Sequence, residues 1–164
     1  MTSPDAAGRQ AIADPTDARG ATDEREWITA SVGASGFRTD LRAGPHALIA
    51  DEPIALGGTG LGPTPYELLL GALSSCMAMT LRMYADRKGW PLESVRVHLR
   101  TERAHAKDCA DCERNEVGMP YIARRIELAG PLDDEQRRRL HQIADRCPVK
   151  QTLERGVRVE TVPS

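Results

Sequence analysis

Aromatic residues are scarce in this chain, with two Trp, three Tyr and one Phe among 164 residues. The formal net charge is only −2, so the chain lacks the basic surplus typical of proteins that bind nucleic acid or anionic membranes. No apolar run approaches the roughly 20 residues that span a bilayer. The N-terminus lacks the basic-then-apolar order of a secretory signal. We therefore expect a cytoplasmic protein with an aliphatic core, no nucleic-acid partner and no membrane partner.

The length of the chain suits one domain with a tail to spare. Residues 1–23 contain almost no large apolar side chain and predict a disordered N-terminal tail, which leaves residues 24–164 as a single domain. Short apolar stretches broken by glycine indicate strands between Trp27 and Ile54. The glycine-rich segment at residues 57–63 ends without Gly-Lys-Ser/Thr, so it predicts a flexible connector rather than a phosphate loop.

The clearest structural signal is the start of a long helix. Thr64 supplies an N-cap hydroxyl, Pro65 suits the first helical position, and Glu67 completes a capping box. The helix should run to Lys88, where Gly-Trp-Pro ends it, and we expect it to be mostly buried with Cys76 on its apolar face. The residues that recur at three- and four-residue spacing on that face are Leu69, Ala72, Leu73, Cys76, Met79, Thr80 and Met83.

Three later segments have the pattern of strands. Apolar and polar residues alternate from Val95 to Leu99, which predicts a half-buried strand. Residues 121–129 are its expected partner, and residues 156–162 predict a short closing strand. Together with the helices, the order is β-β-α-β-β-α-β, which indicates an α+β fold.

A second amphipathic helix is predicted to begin after Asp133, with Gln136 completing its capping box. The basic run at residues 137–139 is interpreted as a solvated face of this helix. The residues expected on its apolar face are Leu140, Ile143, Ala144 and Cys147.

Cys76 lies too deep in the first helix to be activated by the helix dipole. It is roughly 18 Å from the helix start, and the dipole effect fades within the first turn. A reactive Cys76 would need a cation, from Arg38 or Arg42 on the early strands or from Arg82 nearby. Without one, burial would leave the thiol inert, and Cys76 would be a packing residue.

Cys147 is followed directly by proline, which disfavours a helical conformation in the preceding residue. The helix should therefore end or kink there, and Pro148 can begin a short helix through Leu153 with Cys147 as its N-cap. At that position the helix N-terminus, with Arg146 and Lys150 adjacent, would lower the pKa of the thiol. The alternative is a buried cysteine that only ends an amphipathic helix.

Cys109 and Cys112 form a Cys-x-x-Cys in an acidic segment. The spacing fits two metal ligands, with His105 or Glu113 as a third, but a structural zinc site normally has four. The acidic neighbours oppose thiolate formation. Three interpretations stay open: an exposed hairpin with reduced thiols, a metal or partner-held site, and an auxiliary disulfide.

Two motifs together resemble the OsmC/Ohr family of osmotically inducible and organic hydroperoxide resistance proteins. They are PYELLLGALSSCMAMTLR at residues 65–82 and IADRCPV at residues 143–149, and the resemblance extends over roughly residues 25–162. It implies an OsmC-like fold, in which two central helices pack against antiparallel sheets in an intertwined homodimer. It also implies thiol-dependent reduction of hydroperoxides, preferentially organic ones, in oxidative stress defence.

The resemblance also implies a role for individual residues. Cys76 would be the peroxidatic thiolate, and Cys147 would resolve it as a disulfide that an external dithiol, such as a dihydrolipoyl group, reduces. An arginine of the early strands, Arg38 or Arg42, would hold the thiolate, and Glu67 would orient that arginine. No bound cofactor is expected; the partners would be a second copy, a hydroperoxide and the thiol reductant.

A second function stays open at this stage. Tyr66 occupies the place where the organic hydroperoxide branch has its glutamate, directly after the proline. Together with the Cys109/Cys112 pair, this favours a non-enzymatic OsmC-like module that binds an apolar ligand or a metal as the alternative.

Overall fold

The computed structural model describes residues 27–103 and 120–161. Within these ranges the fold is α+β, as expected, and it consists of antiparallel strands and three α-helices. The elements are β1 (Thr29–Val32), β2 (Thr39–Ala43), β3 (His46–Ala50), α1 (Pro65–Lys88), β4 (Ser94–Arg103), β5 (Pro120–Ala129), α2 (Asp134–Ala144) and α3 (Pro148–Arg155), with a short 3-10 helix at Ile54–Leu56.

Strands β1, β2 and β3 form an antiparallel sheet, here called the N-terminal sheet. The pairing runs from Thr39 opposite Ala50 to Ala43 opposite His46, and a tight turn with Gly44 at φ +56° joins β2 to β3. Within the described residues this sheet has no extensive contact with any helix. Some of its apolar side chains are therefore exposed to solvent, and Leu48 is 50% exposed.

Strands β4 and β5 form a second antiparallel sheet that supports the helices. Their register runs from Ser94 opposite Ala129 to Arg103 opposite Pro120. The alternation predicted for β4 is confirmed, because one face of this sheet packs against α1. The apolar residues on that face are Val95, Val97, Leu99, Ile122, Ile126 and Leu128.

Helix α1 begins with the predicted capping box. The Thr64 N–H donates to the Glu67 carboxylate at 2.7 Å, and the Glu67 N–H donates to the Thr64 hydroxyl at 3.3 Å. The helix ends before Gly89, whose φ of +63° favours glycine over residues that carry a Cβ. Both ends therefore follow from local sequence.

The expectation that α1 is mostly buried is wrong for a single chain. Its buried residues are Leu73, Met77, Leu81 and Ala85, spaced four apart along one stripe. Met79 and Met83, which were expected on the inner face, are 64% and 71% exposed. The elements that pack against α1, namely β4, α2 and α3, cover only part of its apolar surface.

Helix α1 is also long and apolar enough, by length and composition alone, to cross a membrane, because an 18-residue window within it has a mean hydropathy of 1.3. This corrects the expectation that no segment of the chain meets that criterion. The observation is weak evidence for a membrane span, because core helices of soluble proteins pass the same test. In the described chain α1 packs against β4, α2 and α3.

Helix α2 begins with the second predicted capping box, in which the Asp133 carboxylate accepts from the Gln136 N–H at 2.7 Å. It ends at Ala144, shortly before Cys147, where it was expected to end or kink, and the expected short helix α3 then runs to Arg155 rather than to Leu153. The main core lies between α1, α2 and the second sheet. Its buried members are Leu81, Ala85, Leu92, Leu132, Leu140, Ile143 and Ala144.

The closing strand predicted at residues 156–162 is absent from the described part of the segment, residues 156–161. A strand forms only where a neighbouring edge supplies hydrogen-bond partners, and within one chain this segment pairs with no described strand. Val157 and Val159 are 65% and 91% exposed. The tail predicted at residues 1–23 lies outside the described residues and stays a prediction.

The segment between β3 and α1 is ordered by a buried carboxylate, so the flexible connector predicted there is wrong. Asp51 is 1% exposed, and its carboxylate accepts hydrogen bonds from the N–H groups of Glu52, Thr59 and Leu61 and from the Thr59 hydroxyl. The Asp51 N–H donates to the Pro63 carbonyl at 3.1 Å, which closes the loop just before the N-cap of α1.

Candidate functional site

The described thiols lie together although they are far apart in the chain. Helix α1 carries Cys76, and the break between α2 and α3 places Cys147 at the N-cap of α3. The side chains of Cys76 and Cys147 are within hydrogen-bonding contact, and both are free thiols. Cys147 forms a small core with Leu73 and Met77, against which Cys76 packs. The arrangement allows chemistry in which the two sulfur atoms act on each other.

The two thiols differ in their access to solvent. Cys147 is 0% exposed, whereas Cys76 is half-buried. The remaining apolar residues around them are Val97, Leu99, Ile122 and Val149. A small molecule arriving from solvent therefore meets Cys76 first.

Burial raises the pKa of the Cys147 thiol, and contact with the Cys76 thiol raises it further. The backbone N–H groups of Lys150 and Val149, in the first turn of α3, act in the opposite direction on this pKa, without compensating for burial. The expected helix N-terminus is present, but the predicted lowering of the pKa is wrong. The apolar surroundings of the thiol, which tertiary packing creates, outweigh the helix end.

A cluster of ion pairs lies beside Cys147. The Asp145 carboxylate is 3.0 Å from Arg124 on β5 and 3.5 Å from Lys150, which also pairs with Glu154 at 2.7 Å. Burial acts to raise the pKa of Asp145, but Arg124 and Lys150 together hold it below its ordinary value. These contacts tie the junction of α2 and α3 to the second sheet.

Sequence reasoning missed Arg124 and Asp145. One feature of the sequence could have indicated Arg124. This charged residue alternates with Ile122 and Ile126, which lie on the inward-facing side of β5. Such a residue usually has a partner on the element that packs over the strand. Here that partner is Asp145.

The arginines expected near Cys76 lie elsewhere in a single chain. Arg38, just before strand β2, pairs with Asp40 at 3.1 Å, and Arg42 is in strand β2 of the N-terminal sheet. Since this sheet has no extensive contact with α1, one chain alone does not pack either arginine against the thiols. Their proposed role at Cys76 stays a prediction.

Arg82 is committed to a structural role, which corrects the expectation that it is available to Cys76. Its guanidinium donates to the carbonyls of Leu92 and Glu93 and pairs with Asp86 at 3.3 Å. These contacts hold the connection between α1 and β4, so Arg82 points toward the C-terminal end of α1.

Glu67 accepts the hydrogen bond that caps α1, and Tyr66 beside it is 67% exposed. The role of Glu67 in orienting an arginine stays a prediction. The candidate metal ligands His105, Cys109 and Cys112 lie outside the described residues. Within residues 27–103 and 120–161, no group of three or more His, Cys, Asp or Glu side chains could hold a metal ion.

Comparison with known proteins places this geometry in a family. A family model described as OsmC-like protein matches residues 58–162, and no curated protein matches the chain. An OsmC-like protein from Mycoplasma pneumoniae has 19% identity and a TM-score of 0.63, with 81% of this chain and 89% of that chain covered. At identities this low, a structural likeness shows the fold alone.

Two further solved structures share the fold. The organic hydroperoxide resistance protein OsmC from Legionella pneumophila has 19% identity and a TM-score of 0.57, with 80% of this chain and 91% of that chain covered. An organic hydroperoxide resistance protein from Elizabethkingia anophelis has 16% identity and a TM-score of 0.55, with 79% and 89% covered. The family model matches more than half of the length of this chain, so the chain belongs to the OsmC-like protein family.

Proposed function

We propose that this OsmC-family chain is a thiol-dependent peroxidase that reduces organic hydroperoxides through Cys76 and Cys147. The observation that carries the proposal is the contact between a half-buried and a fully buried thiol. The Legionella and Elizabethkingia proteins of the same fold are named for organic hydroperoxide resistance, which supports this substrate class.

The exposure of the two thiols assigns their roles. Cys76, as the accessible thiol, attacks the hydroperoxide as a thiolate; the O–O bond breaks, and the leaving alkoxide takes up a proton to become an alcohol. Cys76 is thereby oxidised to a sulfenic acid. Cys147 holds its proton in the resting state because burial raises its pKa. As its sulfur bonds to the Cys76 sulfur, the S–O bond of the sulfenic acid breaks, and the hydroxide leaves as water with the proton of Cys147.

The resulting disulfide is reduced from outside the chain. A small dithiol, such as a dihydrolipoyl group, attacks the disulfide, and the dithiol is oxidised to its own disulfide as both cysteines regain their thiols. This cycle needs no bound cofactor, and it suits a reducing cytoplasm.

We further propose that the active form is a homodimer. The exposed apolar residues Met79 and Met83 on α1, and Leu48 on the N-terminal sheet, make surfaces that soluble monomers rarely leave open. A second copy would cover them and offer an edge to the unpaired segment at residues 156–161. The same contact would allow Arg38 or Arg42 of one chain to reach Cys76 of the other and stabilise its thiolate.

The direct test measures consumption of cumene hydroperoxide with dihydrolipoamide as reductant. Wild type should turn over, Cys76→Ser should lose activity, and Cys147→Ser should stop after one turnover with a sulfenic acid at Cys76. Glu127→Gln, on the exposed face of β5, is the control and should match wild type. Unchanged activity in Cys76→Ser would overturn the proposal.

The alternative is a non-enzymatic OsmC-like module that binds an apolar ligand or a metal. It is favoured by the exposed Tyr66 and by the engagement of Glu67 in the helix cap. Metal analysis of the purified chain separates the two functions. Stoichiometric zinc that is lost in Cys109→Ser, without peroxide turnover in wild type, would support the module.

A further inference from the structure

A basic, aromatic-walled cleft lies at the C-terminal end of α1, about 12 Å along the helix from Cys76. It has a volume of about 550 Å³, within the range of small-molecule sites. We call it the Tyr84 cleft. Its lining residues are Tyr84, Lys88, Trp90, Glu135, Arg138, Arg139 and Gln142.

Two of the few aromatic residues of this chain form one wall of the Tyr84 cleft. The rings of Tyr84 and Trp90 meet edge to face, with centroids 5.5 Å apart and planes at 74°. The guanidinium of Arg87 lies 5.5 Å from the centroid of the Tyr84 ring, and that of Arg139 lies 6.0 Å from it. Of these two cations only Arg139 lines the cleft, so the wall combines ring surface with one delocalised cation.

Arg139 is held in place before any ligand arrives. Its Nε donates to the Tyr84 hydroxyl at 3.3 Å, and its Nη1 donates to Gln142 Oε1 at 3.0 Å. These contacts correct the expectation that residues 137–139 are simply a solvated face. Arg137 departs from it as well, because its guanidinium donates to the backbone carbonyls of Leu128, Gly130 and Leu132.

The charge of the Tyr84 cleft differs in sign from that of the whole chain. Lys88, Arg138 and Arg139 line it against Glu135 alone, in a chain with a net charge of −2. The hydrogen bond from Arg139 lowers the pKa of the Tyr84 phenol, and the charges of Arg139, Lys88 and Arg87 act in the same direction against burial. A concave basic surface of this kind concentrates small anions.

We propose that the Tyr84 cleft binds an aromatic phosphate monoester of about nucleotide size. A planar ring would pack beside Tyr84 and Trp90, and the phosphate would meet the forked donors of Arg138 and Arg139. The surplus of positive charge favours a dianionic phosphate over a single carboxylate. The site is separate from the thiols, so it does not depend on peroxidase activity.

The test is a titration of the full chain with AMP, phenyl phosphate, inorganic phosphate and adenosine, by calorimetry and by fluorescence. A Trp27→Phe background leaves Trp90 as the reporter. We expect AMP or phenyl phosphate to quench Trp90 saturably, inorganic phosphate to bind at least about tenfold more weakly, and adenosine not to bind. No saturation by either aromatic phosphate at about 10 mM would overturn the proposal.

Variants show whether binding occurs in the Tyr84 cleft. Arg139→Gln and Arg138→Gln should each weaken AMP binding by about tenfold or more. Arg138→Gln leaves the contact between Arg139 and Tyr84 intact, so it tests the site even if Arg139→Gln disturbs the fold. Arg96→Gln removes the same charge from the exposed face of β4 and should bind AMP like wild type. Equal weakening in all three would indicate non-specific attraction and overturn the proposal.

Discussion

The buried carboxylate of Asp51 accepts hydrogen bonds from both the backbone N–H and the hydroxyl of Thr59, eight residues further along the chain. The Thr59 hydroxyl is the main reason that the pKa of Asp51 falls from its ordinary 3.8 to about 2. Burial acts to raise this pKa, and the N–H groups of Glu52, Leu61 and Thr59 add to the lowering by the hydroxyl. Asp51 thereby organises the loop that connects the N-terminal sheet to α1.

Asp51→Asn should lower the midpoint of urea unfolding at neutral pH. The Asp51 carboxylate only accepts hydrogen bonds, and the NH2 group of an asparagine would face backbone N–H donors instead of an acceptor. The pH dependence should also change. Since the folded pKa lies below the unfolded value, the carboxylate contributes stability above about pH 4 that is lost as the pH falls toward about 2. The variant should therefore lose less stability than wild type over that window, whereas Glu127→Gln should follow wild type. Equal acid sensitivity of Asp51→Asn and wild type would contradict this.

Gly58→Ala should be strongly destabilising. A Cβ at this position would lie 1.8 Å from the carbonyl oxygen of Glu52, so the backbone that surrounds Asp51 would have to move. We expect a loss of about 1–3 kcal/mol in the free energy of unfolding, as for other overpacked sites. Gly33→Ala is the matched control, since a Cβ there meets nothing within 4 Å. Equal stability of the two variants in urea melts would show that the loop yields.

Asp145→Asn should lower the pKa of the Cys147 thiol, because Arg124 and Lys150 would then face the site without their shared carboxylate. The measurement is the ultraviolet absorbance of the thiolate against pH, in a background where the other three cysteines are serine. Glu135→Gln at the Tyr84 cleft removes the same charge and should leave the curve unchanged. The ion pairs are partly exposed, so the stability change should stay within about 1 kcal/mol. A curve identical to that of the serine background would contradict the prediction.

Met83→Glu should dissociate the proposed homodimer, because it would place a charge in the apolar surface that the second copy covers. Analytical ultracentrifugation should show a dimer for wild type and for Met83→Leu, and a monomer for Met83→Glu. If an arginine of the partner activates Cys76, peroxidase activity should fall with the dimer fraction. A monomeric wild type would overturn the dimer, and a fully active monomer would remove the need for the arginine of a partner.

The local features of the fold were readable from sequence because they depend on residues a few positions apart. Thr64 with Glu67, and Asp133 with Gln136, form their capping boxes within one helical turn. Pro148 separates α2 from α3 for an equally local reason, the loss of helical freedom in the residue before proline. The two cysteine motifs were sufficient to indicate the family that the comparison confirms.

Where a pattern required a distant partner, the sequence was insufficient. The segment at residues 156–161 has the alternation of a strand, but no edge pairs with it in one chain. The sequence correctly predicted an apolar stripe on α1. Which residues of that stripe are buried depends on the packing of β4, α2 and α3 against the helix. Asp51 gave no sign that a loop would fold around its carboxylate.

The amino-acid sequence by itself determined the helices, the α+β class and the family, because hydrogen-bond caps, proline geometry and periodicity act over a few residues. Tertiary structure alone decided that Cys76 meets Cys147, that burial raises the pKa of Cys147 against its helix end, and that Arg124 pairs with Asp145. These properties depend on desolvation and on contacts between distant segments, which exist only once the chain has folded.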